Sequence, residues 1–168
     1  LWAAFGEVRS EEVPADWELR WRQFHRPVQV AGLWVGPPWE TPPRDVEAIV
    51  VDPGRAFGTG GHATTRLCLQ LLAELDRGSL LDIGCGSGVL SIAAVRLGFA
   101  PVTAVDSDPG ALDATDRNAS ANGVELELLL ADALAEPLPG ADLAVANISQ
   151  DAVQRLARTL AERQRDRY

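Results

Sequence analysis

The sequence predicts an α/β domain: a parallel sheet with helices on both faces. Three observations lead to this. Short apolar runs recur at residues 80–84, 101–106, 125–132 and 141–147. Segments with helical apolar spacing lie between them, each with its own start and stop signals. A glycine run, Gly84, Gly86 and Gly88, directly follows the first apolar run. Strands alternating with helices give a parallel sheet. Its ligand is expected at the carboxyl ends of the strands, near the point where strand order reverses.

The elements follow in chain order. Asp16 caps a short helix carrying Trp17, Trp21 and Phe24 on one stripe, and Pro27 ends it. VQVAGLWV, residues 28–35, alternates as one strand, and PPWETPP, residues 37–43, is a stiff proline loop. VEAIVVD, residues 46–52, is the next strand and feeds DPGRAFGTGGHATT, residues 52–65. From Thr64 a helix is expected, with Leu67, Leu71 and Leu75 on one face and Cys68 and Leu72 flanking it. LLDIG (80–84) is a short apolar strand, and VLSIAAVRLG is a helix stopped by Gly98. After the strand PVTAVD (101–106), Asp108 and Pro109 take cap and first-turn positions of a helix that Asn122-Gly123 closes. ELELLLAD (125–132) and ADLAVAN (141–147) are the third and fourth strands of this series. Ser149 caps a last helix with Val153, Leu156, Ala157 and Leu160 on one stripe.

Composition narrows the function classes. A chain of 168 residues, 46% hydrophobic, suits one domain with at most a small extension. The net charge of −9 argues against a nucleic-acid groove, which needs clustered basic residues. No apolar run approaches the ~20 residues of a membrane span, and no signal peptide is present. Cys68 and Cys85 lack metal-ligand spacing, so they read as free thiols of a cytoplasmic protein with no metal site. All five tryptophans precede residue 40. That composition shift suggests a linker helix and lead-in strand region at 1–45, followed by a ligand-binding domain at 46–168. The absence of methionine, even at the start, suggests part of a longer polypeptide.

The strand ends carry the chemistry. Glycines after the first strand let the backbone turn tightly and approach a ligand, with a helix amino terminus behind them. A dinucleotide site wants G-x-G-x-x-G, but here Val89 stands where the third glycine belongs. A phosphate-binding loop wants Gly-Lys-Ser/Thr, and this chain has no lysine. Asp106 ends the second strand, where an acidic residue can accept hydrogen bonds from ribose hydroxyls. Asp132 ends the third strand, where an adenine amino group could be met, and Asn147 ends the fourth. The four ends in order, Gly84, Asp106, Asp132 and Asn147, resemble class I S-adenosylmethionine methyltransferases, whose fold is Rossmann-like.

AFGTGGHATT, then DIGCGSGVLSIAA, AVDSDPGALDATDRNASANGV and ADLAVANI, resemble the bacterial ribosomal protein L-eleven methyltransferase family (the PrmA type). The resemblance implies S-adenosylmethionine as cofactor, held by Thr65, Gly84, Asp106 and Asn147. Phe57, Gly58 and Gly60 would form the inner wall of the loop at 52–65, with Gly86 and Asp132 alongside. Phe57 reads equally well as a core anchor for that loop. The resemblance also implies methyl transfer to amino groups of a large-subunit ribosomal protein, either a lysine side chain or an N-terminal amine. Asn147 would orient the amine, and His62 is a candidate base, although a histidine in a glycine loop is more often structural. Asn147 is followed by Ile148 and Ser149, not by the Pro-Pro-aromatic run of enzymes that methylate adenine or glutamine amides. The fold family implies strand order third, second, first, fourth, with the sheet incomplete after the fourth strand. Alternative functions are a methyltransferase of this lineage with another substrate, or a cofactor-binding remnant without activity.

Overall fold

The computed structural model describes residues 25–53 and 61–165, with side chains through residue 159. The expected helix around Trp17 and Trp21 lies outside the described residues, as do Phe57, Gly58 and Gly60.

The larger sheet holds β4 (Leu80–Ile83), β5 (Val102–Asp106), β6 (Glu127–Leu130) and β7 (Leu143–Ala146). Its order is β6-β5-β4-β7 and all pairs are parallel, the expected third-second-first-fourth arrangement. Ile83 pairs with both Val105 and Ala146. The next residue on each strand is therefore Gly84, Asp106 or Asn147, and the register brings all three to one edge of the sheet. Every residue of β4 is buried, as a central parallel strand covered on both faces must be.

Among the described residues four helices accompany the strands: α1 (Ala63–Glu74), α2 (Val89–Leu97), α3 (Pro109–Ala121) and α4 (Gln150–Arg165). Gly98 ends α2 in the left-handed conformation, at φ 96°, and the Phe99 N–H returns to the Ala94 carbonyl at 3.0 Å. Asp108 caps α3 through the Gly110 N–H at 2.9 Å, with Pro109 in the first turn. Arg77 binds the last carbonyls of α1, including those of Leu72 and Ala73, and that of Leu97 in α2, while its guanidinium lies 4.9 Å from the Phe99 ring centre.

The helix faces differ from the simple leucine count. Leu67, Leu71 and Leu75 of the α1 region are exposed, at 58%, 59% and 44%, while Thr65, Leu69 and Leu72 are buried. The helix is apolar on two sides, so leucine spacing alone does not fix its phase. The same rotation occurs in α4. Val153 and Ala157 face outward, and Ala152, Leu156 and Thr159, spaced four and then three residues apart, turn inward. Leu160 lies among the residues whose side chains are not described.

The smaller sheet holds β1 (Val28–Val30), β2 (Leu33–Gly36) and β3 (Glu47–Val50), in that order. Residues 28–35 do not form one strand. Val30 pairs with Leu33 across a two-residue turn, and both turn residues have positive φ, Ala31 at 52° and Gly32 at 77°. That is the hairpin turn whose twist suits antiparallel neighbours. β2 then pairs with β3 in parallel, across the composition boundary near residue 40. One core joins Val35 and Ile49 of this sheet to Leu69 of α1, Leu80 of β4 and Ile92 of α2. A second core, on the opposite face, joins Leu81, Ile83 and Val105 to Leu156 of α4.

Candidate functional site

The loop after β4 is shaped by its glycines. Gly84, Gly86 and Gly88 all have positive φ, at 75°, 58° and 78°. A Cβ on Gly84 would stand 2.3 Å from Ile148 Cγ2, and one on Gly88 would stand 2.7 Å from Thr115 Cγ2. Both dihedral preference and space therefore exclude larger residues. Asp106 pins the loop. Its Oδ2 accepts from the Gly86 N–H and its Oδ1 from the Asp108 N–H, each at 3.0 Å. Each oxygen keeps a further lone-pair direction for a ligand hydroxyl.

Gly88 opens α2 without a side-chain cap. Asp82, from inside β4, supplies the missing acceptor: its Oδ2 takes the Ser91 hydroxyl at 2.6 Å, and the carboxylate also accepts from the Ser91 backbone. Asp82 is 1% exposed and its Oδ1 has no partner. Burial pushes its pKa up to about 6, Ser91 opposes that rise, and the Asp106 charge adds to it. The loop's own thiol is inert: burial pushes Cys85 up to about 12.

Two adjoining cavities open at this edge, and Gly84, Asp106, Ile148 and Ser149 line both. The larger, about 520 Å³, also meets His62, Thr64, Gly86 and Asn147, and its size suits a small-molecule site of ~300–1,000 Å³. The other has apolar walls from Ile83, Val105, Leu134 and Leu156, with Asp132 among the lining residues. Asp132 Oδ1 accepts from the Leu134 N–H at 2.9 Å. The Asp106 carboxylate thus stands between a larger chamber that His62, Thr64 and Asn147 line and a smaller slot walled by Ile83, Val105, Leu134 and Leu156.

The structure thus brings Gly84, Gly86, Asp106, Asp132, Asn147 and His62 together around these two cavities. Thr65 stands differently. It is fully buried, and its Oγ1 accepts from Asn147 Nδ2 at 3.0 Å, while Thr64 lines the cavity. His62 caps α1: its Nδ1 accepts from the Thr64 N–H at 3.4 Å and meets Thr64 Oγ1 at 2.8 Å. Sequence reasoning missed Thr64, Ile148, Asp82 and a column of buried polar residues on α3, Thr115, Asn118 and Asn122. The asparagines' spacing of four on the buried side of a helix was the available signal. Among the described residues no cluster of His, Cys, Asp and Glu could hold a metal, and no helix is long and apolar enough to cross a membrane.

Parallel order, the glycine turn after β4, the acid after β5 and the asparagine after β7 define a Rossmann-like methyltransferase fold. The chain belongs to the ribosomal protein L11 methyltransferase (PrmA) family, whose model matches residues 5–167. A ribosomal protein L11 methyltransferase of Nitrosococcus oceani is 41% identical over 88% of this chain and 62% of its own length. One from Shewanella woodyi is 44% identical over 97% of this chain and 57% of its own. The crystal structure of a ribosomal protein L11 methylase from Lactobacillus delbrueckii subsp. bulgaricus superposes with a TM-score of 0.68, at 36% identity, over 77% of this chain and 69% of that one. The chain therefore spans about three-fifths of the length of these two curated relatives.

Proposed function

We propose that this chain binds S-adenosylmethionine and takes part in transferring its methyl group to amino groups, lysine or N-terminal, of ribosomal protein L11. The observation that carries the reading is Asp106, placed between a larger chamber lined by His62, Thr64 and Asn147 and a smaller slot, beside a glycine turn that excludes a Cβ. S-adenosylmethionine fits that donor set: two ribose hydroxyls for the Asp106 carboxylate, a flat purine for the slot, and a zwitterionic methionine end for the chamber. When bound it supplies a methyl group already activated by a sulfonium.

The chain's own residues then align and desolvate. Gly84 and Gly86 give close backbone approach, and Asp106 orients the ribose. Asp132 would meet the purine edge. Thr64 and the amino end of α1 face the chamber that would take the methionine carboxylate, with Thr65 supporting Asn147 from below. A lysine amine, with a pKa of ~10.4, must lose its proton near pH 7 at a cost of about 4–5 kcal/mol. Asn147 is suited to hold the neutral amine. Its Nδ2 is committed to Thr65, which turns its carbonyl oxygen to the other side of the amide, as a neutral acceptor. The helix-capping contact of His62 favours a structural role over that of a base. In this reading residues 1–45 are a linker and lead-in region, and the β2–β3 pairing joins Leu33–Gly36 of it to the 46–168 domain. The reaction is cytoplasmic, and the acidic chain needs no direct nucleic-acid contact.

Titration calorimetry with S-adenosylmethionine and S-adenosylhomocysteine tests the first half. Transfer of labelled methyl from S-adenosylmethionine to purified L11, followed by peptide mapping, tests the second. No heat of binding would remove the cofactor reading. Binding with label found only on other acceptors would remove the L11 reading.

A further inference from the structure

One face of α3 carries a buried polar column. Thr115 is fully buried, Asn118 is 3% exposed and Asn122 is 8% exposed. Polar side chains at that depth are retained only with partners, and here the partners are backbone groups of two other elements. Thr115 Oγ1 lies 3.1 Å from the Gly86 carbonyl, as donor. Asn118 Nδ2 donates to the Ser87 carbonyl at 2.9 Å, and its Oδ1 accepts from the Asp52 N–H at 3.0 Å. Asn122 reaches Val50 in β3, accepting from its N–H at 2.8 Å and donating to its carbonyl at 2.7 Å, and also donates to the Asn118 backbone carbonyl at 2.7 Å. The two asparagines are alike in burial and helix face but differ in reach. Asn122 holds β3. Asn118 holds the glycine turn and, with the same carboxamide, the point where the chain leaves β3.

We propose that Asn118 is a positioning residue for the cofactor, setting the glycine turn against the Asp52 segment through one rigid amide. It rests on the reading of the two cavities as an S-adenosylmethionine site. The chain from Asp52 returns at His62 and Thr64, both on the chamber wall, and Thr65 below them is tied to Asn147. Asp52 is thus bonded to Asn118 and Thr65 to Asn147. Removing Asn118 takes away one hydrogen bond at the Ser87 carbonyl and one at the Asp52 N–H together, so the glycine turn and the Asp52 segment lose their common partner.

Three variants, Asn118→Ala, Asn118→Asp and Asn122→Ala, separate this from plain stabilisation. Each is measured by thermal unfolding, by calorimetry with S-adenosylhomocysteine and by amide chemical shifts. Asn118→Ala is expected to weaken binding about tenfold, the worth of one or two net hydrogen bonds, and to move the Asp52 and Gly88 amides together. Asn122→Ala is expected to lower the melting temperature similarly, to move Val50, and to leave affinity within about twofold of wild type. Asn118→Asp keeps the acceptor for the Asp52 N–H and removes the donations to the Ser87 carbonyl at 2.9 Å and the Asp52 carbonyl at 3.5 Å, setting an oxygen in their place. It should reproduce the affinity loss, and it decides the matter if the alanine variant does not fold. Equal affinity losses at 118 and 122, or unchanged affinity in both folded 118 variants, overturn the proposal. If the wild-type chain binds no S-adenosylhomocysteine, the cofactor reading fails. The joint Asp52 and Gly88 shifts then decide separately whether Asn118 couples the two segments, and shifts confined to one of them overturn the coupling.

Discussion

Asn147 donates its side-chain amide to Thr65 Oγ1 across 3.0 Å, joining the end of β7 to the first turn of α1. The acceptor is wholly buried and the donor lies on the chamber wall. One hydrogen bond therefore decides which way the asparagine presents its carbonyl. Thr65→Val removes the acceptor at nearly constant volume. It is expected to cost about 1–3 kcal/mol of stability, the penalty for a buried polar group left unpaired. It should also lower methyl transfer more than cofactor affinity, because the amide is no longer held in one orientation. Urea unfolding and single-turnover kinetics on the same variant check both halves.

Asp106→Ala should weaken S-adenosylhomocysteine binding by about 1.5–3 kcal/mol, the range for hydrogen bonds to a charged group. The loss has two sources, the ribose contacts and the Gly86 and Asp108 N–H groups that the carboxylate now pins. Asp106→Asn is predicted to retain no more than about half of the wild-type binding energy from the ribose, since its amide nitrogen can accept neither a ribose hydroxyl nor the backbone N–H that faces it. Calorimetric affinities equal to wild type would remove the ribose assignment.

Gly84→Ala combines a positive φ with a 2.3 Å clash against Ile148 Cγ2. The left-handed conformation alone costs about 1–2 kcal/mol for a residue with a Cβ. Ile148→Ala in the same chain should relieve the clash and leave that strain. The double variant is thus expected to recover part of the stability and little of the cofactor affinity, as read by thermal unfolding and calorimetry.

Stability should fall as pH rises through the window between the ordinary carboxylate range and about 6. Asp82 is raised to about 6 in the folded chain, first by burial, so the folded state keeps its proton after the unfolded state has released one. The folded state binds more protons across that window, and its advantage declines as pH increases, levelling above the raised value. Asp82→Asn keeps an acceptor for Ser91 and cannot ionise. Its urea midpoint should lack that decline. A decline of the same size in both proteins would assign it to another group.

How much of this was legible depends on what each residue type reveals. The strand ends were readable, because Gly84, Asp106 and Asn147 are unusual residues at the close of apolar runs, and parallel register brings such ends together. The capped helices were readable from Asp108, Pro109 and Gly98. The hairpin at Ala31 and Gly32 was hidden: alanine rarely takes positive φ, and the apolar alternation continues through the turn. The phase of α1 was hidden because leucines occupy both sides, and burial depends on where β1 and α2 pack. Asn118 and Asp82 looked like ordinary polar residues, and only the tertiary arrangement gives them partners.

The hold of Asn122 on Val50 also bears on chemical ageing. Asn122 is followed by Gly123, a pair prone to deamidation in flexible peptides because the glycine nitrogen can attack the side-chain carbonyl and close a succinimide. Here the carbonyl oxygen accepts from Val50, the amide nitrogen donates to Val50 and to the Asn118 carbonyl, and the Gly123 N–H is bonded to Ser120. Ring closure would have to break these contacts in a side chain that is 8% exposed. Conversion to aspartate should therefore track excursions to the unfolded state, so that the dipeptide acts as a slow clock recording how often this part of the chain opens.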